Sequence, residues 1–232
     1  GKFTKDKRVT RNNQYSNHVL RDSHSNLDIY YRKAKEECYR ARSAYKLLQI
    51  DDIYHIFDGT QRVVDLCGAP GSWSQVCRKK LGEMGLFAGK KEEGMEDHGE
   101  RIVSGIFKDA PIDNVFHVVG DITKGETLQK ILAAFKGQLC DLVICDGAPD
   151  ITGFHDMDQY IQSQLLVAAL NITVKVLKKG GNFVAKIFKG SEIGFLYSQF
   201  KLYFKEITYL SNLDVKLDPT AAGRVVQAFL SG

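Results

Sequence analysis

An α/β fold built on a doubly wound, mostly parallel sheet of seven strands is what this sequence predicts. Three observations predict it. Strand-like apolar runs alternate with segments of helical period from Val63 to Phe204. One run, Val63-Val64-Asp65-Leu66, passes through a glycine turn directly into a helix. Two later runs end on acids, Asp121 and Asp146, which such a topology sets on the same sheet edge as that turn.

Taken in order, the chain begins with residues 1–27, a basic arm without a hydrophobic period, and continues as one domain over residues 28–232. From Gly1 to Lys46 there are twelve Lys and Arg against five Asp and Glu, a net +7; the formal total of +4 leaves −3 for the remainder. A basic arm on a near-neutral body fits either a solvated tail or a polyanionic partner. Arg32 to Ile50 reads as helical with a break near Arg40 to Ser43; Tyr45, Leu48 and Ile53 face the body, and Arg40, Arg42 and Lys46 face outward or into a cleft. Aromatic residues interleaved with cations suit RNA, where rings stack on bases and cations meet phosphates. A solvated amphipathic helix has the same composition.

The run Val63 to Leu66 is a buried central strand. Gly68 and Gly71 supply the turn, and Ser72 is the expected N-cap of a helix to Leu81. Gly82 to Gly99 reads as a long charged loop. Arg101 to Phe107 and Val115 to Val119 are the next strands, and Lys124 to Phe135 a helix. Asp141 to Cys145 is a fourth strand. A long helix from Asp158 to Leu177 turns Ile161, Leu165, Ala168, Ala169, Ile172 and Val176 inward and stops at Gly180-Gly181. Asn182 to Phe188 is the fifth strand, Ile193 to Phe204 a helix, and short strands at Glu206 to Leu210 and Val225 to Leu230 close the domain.

Composition excludes several classes. No apolar run is long enough to cross a bilayer, and the polar, basic start predicts no signal peptide. Five scattered cysteines without a CxxC pair predict free thiols in a reducing, cytoplasmic compartment rather than disulfides or a metal site.

The glycine turn lacks both GxGxxG and the Gly-Lys-Ser/Thr of a phosphate loop. It is either an ordinary strand-to-helix turn or a loop for another nucleoside. A cleft bearing Gly71, Trp73, Asp121 and Asp146 suits a nucleoside with a positive centre. The sulfonium of S-adenosylmethionine is favoured by carboxylates that would repel a triphosphate; the flat ring of Trp73 is expected to pack on it. Lys186 lies inside the apolar strand Phe183 to Phe188. It is either a desolvated base in the cleft or a strand-end lysine reaching water.

Several long motifs resemble the FtsJ-type ribose 2′-O-methyltransferases, and among them the eukaryotic tRNA anticodon-loop branch. They are Lys5 to Arg8, Tyr30 to Asp51, Asp65 to Val76, Gly120 to Thr123, Asp141 to Asp158 and Phe183 to Gly190. The run Thr152-Gly153-Phe154-His155-Asp156-Met157-Asp158 is what points to the tRNA branch rather than to ribosomal RNA or cap methylation. The resemblance implies a Rossmann-like methyltransferase fold, S-adenosylmethionine as cofactor and tRNA as substrate. It also implies an accessory protein that helps select the position. From the family's Lys-Asp-Lys-Glu tetrad it implies catalytic roles for Lys46, Asp146 and Lys186, with Lys186 taking the ribose proton. It implies a donor site at Gly71, Trp73, Asp121 and Asp146, and RNA contacts at Lys7, Arg8, Arg40 and Arg42. The pattern is broken at Ile106, where the family has an acid, and at Gln227, where it has a glutamate. Those two changes are the basis of the rival expectation, an RNA-binding module with a degraded site.

Overall fold

The computed structural model describes residues 30–86, 102–105, 111–147, 154–188, 193–210 and 223–230. The basic arm with Lys7 and Arg8, most of the charged loop before the second strand, Ile106 and Thr152-Gly153 lie outside the described residues. Helical residues 30–36 form α1. There follow α2 (Ala44–Tyr54), β1 (Val63–Leu66), α3 (Ser72–Glu83), β2 (Ile102–Gly105), β3 (Phe116–Val118) and α4 (Gly125–Ala134). The chain continues through β4 (Cys140–Cys145), α5 (His155–Val176), β5 (Leu177–Phe188), α6 (Ile193–Lys201), β6 (Phe204–Leu210) and β7 (Gly223–Leu230).

The strands join one sheet in the order β3-β2-β1-β4-β5-β7-β6. The first four pairings are parallel, and β7 runs antiparallel to both β5 and β6. β1 and β4 are central and wholly buried, which is why their sequences are apolar on both faces rather than alternating, apart from the buried acids Asp65 and Asp141. Alternate residues feed two cores. Val63, Leu142, Ile144 and Val184 pack with α2 and α3 on one face. Val64, Leu66, Val143, Cys145 and Phe183 pack with α4, α5 and α6 on the other. Helices therefore cover both faces.

The edge of the sheet where β1 and β4 begin is fixed by Asp141. Its carboxylate accepts the N–H groups of Gln61 and Arg62 at 2.9 and 2.8 Å and pairs with Lys178 at 2.5 Å. Burial alone would raise that carboxyl, but Lys178 and the two amides together hold it below its ordinary range. The opposite edge, at the carboxyl ends of the strands, is left for a site.

Four expectations change. The long helix ends at Val176, one residue short of the expected Leu177, and Gly180-Gly181 is not what stops it. Leu177 is already extended, and the glycine pair lies inside β5 where its register with β4 slips between Cys140 and Leu142. The slip needs glycines: Gly180 has φ +74°, and a Cβ on Gly181 would sit 2.8 Å from the carbonyl of Asp141. The cap of α3 is Gly71 at φ +105°, so Ser72 is its first helical residue. Ile53 is 57% exposed and Ile161 lies on an exposed part of α5, because the periodic stripe marks a helix side rather than a particular neighbour. Of the two alternatives for Lys46, the outward one falls away, because the residue is 9% exposed.

Candidate active site

The site begins where β1 ends. Asp65 is fully buried in that strand, and its Oδ2 accepts a hydrogen bond from the Ser74 hydroxyl in the first turn of α3 at 2.6 Å. Its other oxygen has no partner among the described residues. Burial pushes this carboxyl up to about 7, with the negative charge of Asp146 adding to the rise and the bond from Ser74 opposing it. Beyond it the chain turns through Gly71 into α3, whose first turn has no side-chain cap. The Ser74 backbone N–H in that turn also leans on the Asp65 carboxylate, and a helix start of this kind favours an anionic group of a ligand.

The segment between α1 and α2 is fastened to this turn by five hydrogen bonds. The Arg40 N–H donates to Gln75 Oε1 at 2.8 Å, and Gln75 Nε2 donates to the Cys38 carbonyl at 2.9 Å. Arg40 Nη1 donates to the Pro70 carbonyl at 3.0 Å. Trp73 Nε1 donates to the Ser43 carbonyl at 2.9 Å, and the Ser43 and Ser72 hydroxyls lie 2.7 Å apart. The predicted break is thus a strap, ordered by the glycine turn that it crosses.

Trp73 therefore needs a correction. Its ring is 1% exposed and belongs to the core between α2 and α3, so no face of the indole is left for a nucleoside. What it offers a ligand is its backbone N–H in the uncapped turn. The second helical position directs this side chain back toward α2. A Trp73→Ala variant is expected to lose about 3–5 kcal/mol of stability, read by denaturant unfolding. A loss below 1 kcal/mol would show that the ring is not a core element.

Across the edge, the Lys186 ammonium of β5 meets Asp146 at the end of β4. Nζ donates to Oδ1 at 2.6 Å and to the Asp146 carbonyl at 2.9 Å, and both side chains are more than four-fifths buried. Gln162 of α5 donates to the Lys186 carbonyl at 3.4 Å. Lys46, in the first turn of α2, faces this pair. Burial lowers its ammonium to about 8; Lys186 and Arg42 push the same way, while Asp146 opposes them. Two ammonium groups beside one carboxylate are held less easily than one, which adds to the lowering of Lys46.

Asp121 follows β3 on the same edge. Its Oδ1 accepts the Thr123 N–H at 2.8 Å and hydroxyl at 2.7 Å, and those bonds hold the exposed carboxyl below its ordinary range. The structure brings Lys46, Asp146 and Lys186 together electrostatically and sets Gly71, Trp73 and Asp65 beside the turn. Arg40 is drawn onto Pro70. Gln227 pairs with Val184, two residues before Lys186 along β5.

Two residues escaped the sequence reading as site residues. Asp65 was legible in principle: an acid flanked by Val63, Val64 and Leu66 in a buried strand needs a partner. Gln75 had no such signal, because its partners lie 35 and 37 residues upstream.

The residues fit a cationic nucleoside by their own chemistry. Asp65 carries a buried oxygen without a donor among the described residues, and Asp121 is an exposed carboxylate. Among the described residues no cluster of His, Cys, Asp and Glu is placed to hold a metal, and no helix is long and apolar enough to cross a membrane.

A family model described as FtsJ-like methyltransferase matches residues 39–211. A human protein named tRNA (cytidine(32)/guanosine(34)-2′-O)-methyltransferase is 49% identical over 187 residues, covering 81% of this chain and 53% of its own length. A Schizosaccharomyces pombe protein of the same name is 48% identical over 189 residues, covering 81% of this chain and 65% of its own. The chain spans about half to two thirds of the length of the curated relatives it matches. A Plasmodium falciparum crystal structure, provisionally described as a ribosomal RNA methyltransferase, superimposes with a TM-score of 0.65 at 21% identity over 84% of this chain and all of that one. That likeness speaks to the fold.

Proposed function

Because the chain belongs to the FtsJ-like methyltransferase family, we propose that it transfers a methyl group from S-adenosylmethionine to a ribose 2′-hydroxyl of tRNA, in the anticodon loop. The observation that carries this reading is the Lys186–Asp146 pair facing Lys46, at the strand ends beside the glycine turn. The names of the human and fission-yeast relatives supply the tRNA and the loop positions. When bound, S-adenosylmethionine supplies an electrophilic methyl group.

This chain's own residues do the rest. A ribose hydroxyl is a very weak acid and needs a base within hydrogen-bond reach. Lys186 takes that proton in its neutral form, its own ammonium proton having passed to the Lys46 amine, and is held in line by the carboxylate and carbonyl of Asp146. Lys46, with its weakened hold on a proton, keeps the cluster one proton short above about pH 8, so acceptance costs little. Asp121, Asp146, Gly71 and the Trp73 N–H hold the donor, with Asp65 beneath them. Lys7, Arg8, Arg40 and Arg42 meet RNA phosphates, which position without reading sequence. The seven-stranded, doubly wound sheet forms a single domain, residues 28–232, that works in the cytoplasm with an accessory subunit choosing the nucleotide.

The test is to incubate the protein with tRNA transcripts and labelled S-adenosylmethionine, then map 2′-O-methyl marks. Marks in the anticodon loop are expected. Donor binding with no mark on any tRNA, but marks on ribosomal RNA or a cap, would replace the substrate. RNA binding with no donor binding by calorimetry would make the chain a binding module.

A further inference from the structure

We infer that Gln75 is a positioning residue for Lys46: by clamping the turn at Cys38 to Arg40 onto the first turn of α3, it sets where the α2 amine stands relative to the Lys186–Asp146 pair.

The geometry begins with the turn itself. Cys38 is left-handed at φ +59°, a conformation rare for a residue with a Cβ, so the turn needs outside contacts to hold it. Gln75 supplies two. Its amide oxygen accepts the Arg40 N–H and its amide nitrogen donates to the Cys38 carbonyl, so one planar group satisfies both polar atoms of the turn. A hydroxyl is too short to span both groups, a carboxylate lacks the donor, and an ammonium lacks the acceptor.

The consequence runs to the site through α2. Ser43, the N-cap of α2, makes no cap bond of its own; its hydroxyl goes to Ser72. The start of the helix is therefore placed by α3 and the turn rather than by an internal cap. Lys46 lies one turn on, its N–H donating to the Ser43 carbonyl at 3.0 Å. A turn released from α3 moves the start of α2 and Lys46 with it. The charged groups that face the Lys46 ammonium are Lys186 of β5, Asp146 at the end of β4 and Arg42 of the strap. A displaced Lys46 gains water and distance from the two cations, and holds its proton more tightly. Gln75 is partly exposed, so its replacement does not empty the core.

The experiment compares wild type with Gln75→Met and Gln75→Glu. Lysine-selective NMR follows the Lys46 side-chain resonance through a pH titration, assigned with Lys46→Arg. In wild type it titrates near 8. In Gln75→Met the midpoint is expected to move upward, with the melting temperature within a few degrees of wild type. Gln75→Glu keeps the acceptor for the Arg40 N–H and loses the donor to Cys38, so a smaller move is expected. In methyl-transfer assays, kcat of Gln75→Met is expected to fall about tenfold with donor affinity nearly unchanged, and its rising pH limb to shift upward. An unmoved Lys46 titration in both variants would overturn the assignment, as would parallel losses of kcat and donor affinity. The kinetic arm rests on the methyl-transfer reading and the NMR arm does not. A wild type that methylates nothing would sink that reading while the titration still decides the role of Gln75.

Discussion

Lys186→Ala abolishes methyl transfer to RNA while donor binding persists: a fall of about 10²- to 10⁴-fold is expected for the loss of a positioned base. In the proposed reading the donor is held mainly by the glycine turn and by carboxylates that the substitution leaves in place. Lys186 instead is aimed by two acceptors of a single residue, at 2.6 and 2.9 Å. A second effect separates this from simple damage. Without Lys186 the Lys46 ammonium loses a cation that lowers it and keeps the Asp146 carboxylate that raises it. Its titration therefore moves up from about 8 toward the ordinary lysine value. Transfer of label to tRNA and calorimetry with S-adenosylmethionine measure the first effect, and lysine NMR the second. Equal activity in wild type and variant rejects the base assignment.

The second large effect has opposite signs for activity and stability. Lys46→Met is expected to lower methyl transfer at least 100-fold and to make the folded chain more stable near neutral pH. Burial lowers the Lys46 ammonium from 10.5 to about 8, so at pH 7 the unfolded chain holds that proton more tightly than the folded one. The cost to folding is then about 3 kcal/mol. It is present in full below about pH 8 and fades as pH rises toward the unfolded value near 10.5. Methionine has similar length and no charge to desolvate, so it removes the cost. Urea unfolding at pH 7 and pH 10 tests this. A stability gain at pH 7 that shrinks by pH 10 is expected, and a loss at pH 7 would mean that the ammonium is well paired.

The fold was legible where hydrophobic patterning alone decides it. Val63 to Leu66 and Asp141 to Cys145 are apolar on both faces, apart from Asp65 and Asp141, because they lie at the sheet centre with helices on both sides, and their glycine and acid ends locate the functional edge. The errors came where tertiary contacts overrule local rules. Gly180-Gly181 looks like a helix stop, but β5 needs those glycines to slip past Asp141. Ser72 looks like a cap, but its hydroxyl is taken by Ser43. Trp73 looks like a ligand platform, but the core beneath α2 claims its ring. The charged centre was legible only through motif resemblance, since nothing in the spacing of Lys46, Asp146 and Lys186 says that they meet. The strap is illegible for the same reason, its bonds joining segments about thirty to forty residues apart.

The placement of β7 carries a consequence for assembly. This strand follows β6 in the chain yet lies between β5 and β6 rather than at an edge. Until it arrives, β6 has nothing to pair with, and the flank of β5 that bears Lys186 lies open as an unpaired strand edge. The edge that carries Lys186 is consequently closed only once β7 has inserted. A variant lacking residues 223–230 is expected to clump through two open strand edges.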